Sequence, residues 1–87
     1  MADETLLAFP CDFPLKIMGE TRNGFAQAVL EVVRVHAPDF DGATIEMRPS
    51  SSGKYLSLTC TVRATSKAQL DALYQDLTGH PWVKVVL

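Results

Sequence analysis

Cysteine is scarce in this chain. Of its 87 residues two are cysteine, Cys11 and Cys60. They are too few and too far apart to define a disulfide framework, and neither belongs to a CxxC or Cys/His pattern with zinc-ligand spacing. Both read as reduced thiols. Charge is also thin: 21% of residues are charged and the formal net charge is −2, which supplies no general attraction to nucleic acid or to anionic membranes. Long apolar runs are missing too. The longest fall well short of the ~20 residues needed to cross a bilayer, and no basic start followed by an apolar stretch precedes the domain. These absences make a cytoplasmic location the expectation, with no membrane or nucleic-acid partner.

What is present is ordinary for a globular protein, with 47% apolar residues and too little charge for disorder. A chain of this length buries about 60 to 65% of the surface that its unfolded form exposes, enough for one core and not for two. Residues 1–87 therefore read as a single domain, led in by an irregular arm over residues 1–11 that Pro10 closes.

Leu15 and Ile17 alternate with Lys16 and Met18, the period-two pattern of a half-buried strand over 12–19. From Asn23 to Ala37 the positions Phe25, Ala28, Val29, Val32, Val33 and His36 recur at three-and-four spacing, which predicts a helix capped by Asn23 and stopped by Pro38. A turn at Asp39–Gly42 leads to a second alternating run, Thr44–Arg48, ended by Pro49. Ser50-Ser51-Ser52-Gly53 then reads as a hairpin loop with glycine in the positive-φ position. The third strand, Lys54–Ala64, is the clearest: Leu56, Leu58, Cys60, Val62 and Ala64 face one way, and Tyr55, Ser57, Thr59, Thr61 and Arg63 the other. Ser66 with Gln69 forms a capping-box pattern, followed by the stripe Leu70, Leu73, Tyr74 and Leu77 and by Gly79 as a left-handed helix stop. Trp82–Leu87 closes the chain as a β-branched strand.

The order strand, helix, strand, strand, helix, strand predicts an α+β ferredoxin-like βαββαβ sandwich, a four-stranded antiparallel sheet with two helices on one face. The first and third strands would be central and the second and fourth edges. An apolar edge such as the last strand invites pairing with another chain.

The chemistry-bearing residues do not assemble into a known site. RNA binders of this fold stack bases on several aromatics of the central strands, whereas this open face offers Tyr55 alone. Acylphosphatases of the same fold use an arginine after the first strand and a separate asparagine. Arg22 occupies that loop, but the single asparagine, Asn23, stands beside it, so the second group is missing. His36 and His80 follow helix ends, where the dipole favours them. Ser50–Lys54 lacks the leading glycine and following helix of a phosphate loop. Neither an enzyme nor a cofactor nor a metal site is expected.

The stretch Gly19–Val29 resembles the loop and helix start of ACT regulatory domains, in which a glycine-containing turn contacts an amino-acid ligand at a dimer interface. ACT domains usually carry a proline where this chain has Asn23. More broadly, Phe9–Gly19, His36-Ala37-Pro38, Arg48–Tyr55 and Leu73–Leu77 resemble the YbeD family of small bacterial proteins, over nearly the whole chain. That resemblance implies a ferredoxin-like fold similar to the ACT-type domain of phosphoglycerate dehydrogenase, and it carries over no established activity or active site. The leading expectation is a small regulatory or adaptor domain that binds a partner protein, or itself, through the last strand, with contacts at Trp82, Val83, Lys84 and Val86. The competing expectation is an ACT-like sensor of an amino acid or metabolite, using Met18, Gly19, Asn23 and Gly24.

Overall fold

Alternation along the first strand decides the layout of the sheet. A computed structural model describes residues 8–87, and in it β1 runs Cys11–Glu20 with Leu15 and Ile17 buried and Asp12, Pro14 and Lys16 exposed. β3, Tyr55–Ala64, lies antiparallel to it in an unbroken register from Cys11↔Ala64 to Glu20↔Tyr55. β2, Glu46–Pro49, pairs with the other side of β3. β4, Val83–Val86, pairs with the other side of β1. The order β2-β3-β1-β4, with α1 at Phe25–His36 and α2 at Lys67–Thr78, is the ferredoxin-like α+β fold that the hydrophobic pattern predicts. The arm expected over 1–11 lies mostly outside the described residues, and Cys11 already belongs to β1.

Both helices press their apolar stripes onto one face of the sheet. Phe25, Val29 and Val33 of α1 and Leu73 and Leu77 of α2 meet Ile17, Leu58, Cys60 and Val62, all between 0 and 2% exposed. Each such side chain contributes about 1.5–3 kcal/mol on burial, which makes this layer the main stabiliser of the fold. Tyr74, expected in the α2 stripe, is 49% exposed, because it stands about 100° around the helix from Leu73, outside the narrow Leu73/Leu77 seam.

The helix ends depart from expectation in instructive ways. Ser66 caps α2 as predicted, its Oγ accepting from the Gln69 N–H at 3.1 Å. The returning bond reaches one residue further back, with Gln69 Oε1 accepting from the Thr65 N–H at 2.7 Å. The same side chain donates through Nε2 to the His36 carbonyl at 2.9 Å, so one glutamine fastens the start of α2 to the end of α1. His36 itself meets Asp76 of α2 at 2.5 Å.

α1 is capped by Gly24, at φ 85°, and not by Asn23. The left-handed turn that only glycine adopts without strain moves the helix start on by one residue. Gly79, expected in a left-handed stop, has φ −81°. Its N–H continues the helical pattern to the Gln75 carbonyl at 3.0 Å, and Pro81 ends the run.

The second strand starts later than its alternation predicts. Asp41 Oδ1 accepts from the Ala43 N–H at 3.0 Å and the Asp41 carbonyl from Thr44 Oγ1 at 2.6 Å. These bonds wind Gly42–Thr44 into a 3₁₀ turn. The hairpin that follows is as expected, with Gly53 at φ 77° and Ser50 N–H bonded to the Tyr55 carbonyl at 2.8 Å.

Candidate functional site

Two regions hold the residues that the sequence singles out. The first is the sheet face that neither helix covers. Cross-strand partners share a face, so the β1–β3 register places Pro14, Lys16 and Met18 there beside Thr61, Thr59 and Ser57. The β2 register adds Glu46 and Arg48, and Met18↔Val85 adds Val85. Lys16 and Leu87 exchange backbone bonds at 3.1 and 2.8 Å, which puts Leu87 in the same row. The β4 side of this face is thus an apolar strip of Met18, Val85 and Leu87, the last two 43% and 70% exposed.

The β4 edge is irregular. The register with β1 shifts between Met18 and Gly19, so that Val83 and Val86 both point into the core and Lys84 and Val85 both point out. Of the four residues expected as edge contacts, Val83 and Val86 are therefore core residues, Trp82 is half-buried against the core, and Lys84 is exposed. Strict alternation hides this, and it also hides Val85 and Leu87.

The second region is the end of the molecule where the β1–α1 loop, the hairpin and the α2–β4 connection meet. Thr21 ties the first two together, its N–H bonding to the Lys54 carbonyl at 2.9 Å and its Oγ1 to the Gly53 carbonyl at 2.8 Å. The Arg22 guanidinium lies over the Trp82 ring, 4.7 Å from its centroid, and 3.9 Å from Glu20. The His80 ring meets Trp82 edge-on at 5.5 Å, and its Nδ1 accepts from the Trp82 N–H at 3.1 Å.

The expected sensor residues divide between the two regions. Gly19 is buried under the Trp82 carbonyl and the Phe25 ring, leaving no room for a Cβ, and Gly24 faces the Trp82 ring. Asn23 is exposed beside them, and Met18 belongs to the sheet face. Sequence reasoning weighed Arg22 and Trp82 apart, and their stacking across 60 residues of chain carries no local signal.

Burial pushes the Cys60 thiol up from 9.0 to about 11, which keeps it protonated and unreactive. Among the described residues no three histidine, cysteine or acidic side chains come together to hold a metal. No described helix is long and apolar enough to cross a membrane.

Comparison with known proteins fits this architecture. A family model described as "Protein of unknown function (DUF493)" matches residues 4–87. The chain belongs to the DUF493 family. DUF493 relatives include a UPF0250 protein of Nitrosomonas europaea, 56% identical over all of both chains, and one of Bordetella pertussis, 55% identical over 98% of this chain and 93% of its own. Among solved structures this DUF493 chain is similar to a Helicobacter pylori protein, with TM-score 0.76 at 15% identity over 93% of this chain and 85% of that one. It is also similar to the ACT domain from GTP pyrophosphokinase of Chlorobium tepidum, with TM-score 0.64 at 20% identity over 87% and 84% of the two chains. At these identities the two structures speak for the fold.

Proposed function

We propose that this chain is a small regulatory domain that acts by binding another protein on the β1–β4 side of its uncovered sheet face. The observation that carries the reading is the apolar strip of Met18, Val85 and Leu87 alongside Lys16 on a face left open by both helices. Such a strip suits a partner segment with apolar side chains and a carboxylate opposite Lys16, whose ammonium has no ion-pair partner among the described residues. The fold shared with an ACT domain of a nucleotide-metabolising enzyme supports a regulatory role over a catalytic one. On this reading the chain is not an enzyme, uses no cofactor and works in the cytoplasm.

Pairing through the backbone of β4 receives less support, since a four-residue edge carrying a bulge and an outward lysine is poorly shaped for strand addition. The sensor reading also receives less, since Gly19 is closed off and Met18 lies apart from Asn23 and Gly24.

The test compares Leu87→Glu with Val35→Glu, a change at a helix position that is 73% exposed. A partner captured on the wild-type chain is purified and its affinity remeasured. Loss of at least tenfold with Leu87→Glu alone is expected, as for a central contact residue. Equal affinities for the two variants would end the proposal. If the captured partner is a second copy, sedimentation will show a dimer that Leu87→Glu dissociates.

A further inference from the structure

We propose that the β2 side of the same face is a second binding site, for a small anionic metabolite, its phosphate or carboxylate held between Arg48 and Lys16, the lysine being shared with the docking strip, over the hydroxyls of Ser57 and Thr59. The register brings these four together: Arg48 stands opposite Ser57, and Lys16 opposite Thr59. Two adjoining depressions, of about 260 and 210 Å³, both have Lys16, Arg48 and Ser57 in their walls.

The charge distribution points to an anion. Neither Lys16 nor Arg48 has a carboxylate within 4.0 Å among the described residues, a state they share with Arg34, Lys54 and Lys84, and these two alone of the five line both depressions. Two cations against the single carboxylate of Glu46 leave the hollow with a net positive charge, which an anion between Lys16 and Arg48 offsets while accepting charge-assisted bonds. Arginine presents a planar fork suited to the paired oxygens of either group.

The surroundings narrow the ligand further. Glu46 borders the first depression, so a second anionic group is disfavoured there. Met18, Pro49 and Tyr55 line the second, offering an apolar and aromatic wall to the rest of the molecule. The fit is a compact monoester or monocarboxylate with one apolar or flat group. A polyanion fits poorly, and so does a ligand that is polar throughout. The volumes are below the ~300–1,000 Å³ usual for drug-sized ligands, which restricts the occupant to metabolite size.

The experiment is an amide-shift titration of the full chain by NMR at constant ionic strength, with phenyl phosphate, benzoate and inorganic phosphate as probes. Saturable shifts centred on Lys16, Ser57, Thr59 and Tyr55 are expected for at least one aromatic probe, which should bind more tightly than inorganic phosphate. A preference for phenyl phosphate assigns a phosphate ligand, and a preference for benzoate a carboxylate. Arg48→Gln and Lys16→Gln should each weaken binding about tenfold or more, as befits loss of a charged hydrogen-bond donor. Arg63→Gln, which removes a cation paired with Asp12 on the same face, should leave binding unchanged, and unmoved core resonances will show that each variant is folded. Non-saturating shifts, or equal losses in all three variants, would overturn the site. Leu87 lines neither depression but stands opposite Lys16. The uncharged Leu87→Ser, which removes the apolar docking contact without setting a carboxylate beside Lys16, should therefore retain the probe and lose the docked partner, which makes the fate of this site separable from that of the docking strip.

Discussion

Gly19 provides the sharpest quantitative test of the packing. A methyl group added there would overlap the Trp82 carbonyl and lie 2.8 and 2.9 Å from the Phe25 ring carbons Cζ and Cε1. The carbonyl is backbone in a bulged edge, and Phe25 is 1% exposed, so neither can swing aside. Overpacking of this kind costs about 1–3 kcal/mol, and the immovable carbonyl argues for the upper half of that range. Opposing it is the smaller entropy of an unfolded chain with alanine in place of glycine, worth about 0.4–1 kcal/mol, which would dominate at a roomy site with ordinary φ. The clash should win, with a net loss of about 1–2.5 kcal/mol. For a domain of this size that lowers the thermal midpoint by about 5–20 °C, a large share of a total stability on the order of 4–13 kcal/mol. Gly53→Ala is the control, since its φ is 77° but nothing lies within 4 Å of its added Cβ, leaving only a backbone cost of about 1–2 kcal/mol. Urea unfolding of the wild type and both variants, with slopes compared to confirm two-state behaviour, gives the answer. A Gly19→Ala variant as stable as the wild type would refute the account of this corner and return Gly19 to the list of open ligand contacts.

The remaining predictions concern the helices and the buried thiol. Gln69→Ala should cost about 2–3 kcal/mol in the same urea assay, more than the ~1 kcal/mol of Ser66→Ala, because Gln69 serves Thr65 and the His36 carbonyl at once and leaves a half-buried carbonyl unpaired. Asp76→Asn removes the partner of His36, and with Asp76 56% exposed the loss should stay below about 1 kcal/mol and shrink in high salt. Cys60, raised from 9.0 to about 11 in the folded chain, should contribute stability that is complete below pH 9 and lost as pH rises from 9 through 11. The shift sets that loss at roughly 3 kcal/mol. The alkaline limb of a pH–stability profile should therefore flatten in Cys60→Ala, and an unchanged limb would assign it to other groups.

The layered core was legible because it is written in local periods. Leu15 and Ile17 at spacing two, and Phe25, Val29 and Val33 at spacing four, each need only their own element to be recognised. What escaped depends on a second element. That α1 starts from Gly24 follows from a backbone angle, and the shortening of β2 follows from an aspartate that caps the turn before it. The surface readings suffered most. The last strand reads as a plain run, Trp82–Leu87, and nothing within it announces that its register against β1 skips a residue, which turns Val83 and Val86 inward together. Likewise the convergence of Lys16 and Arg48 rests on the strand order, since the two are 32 positions apart and meet only across β3.

The register shift in β4 bears on how this protein stays dispersed. Ladder pairing with β1 involves Val83, Val85 and Val86 and passes over Lys84. Without that lysine, Val83, Val85, Val86 and Leu87 would still point alternately into and out of the core, so the packing does not need it. Its removal would instead leave a straight, uncharged ribbon of branched side chains along the rim, the shape on which fibrils grow. Lys84 is thus dispensable to the fold of one chain and valuable to a population of such chains. A Lys84 deletion should melt close to the wild type yet aggregate sooner when concentrated.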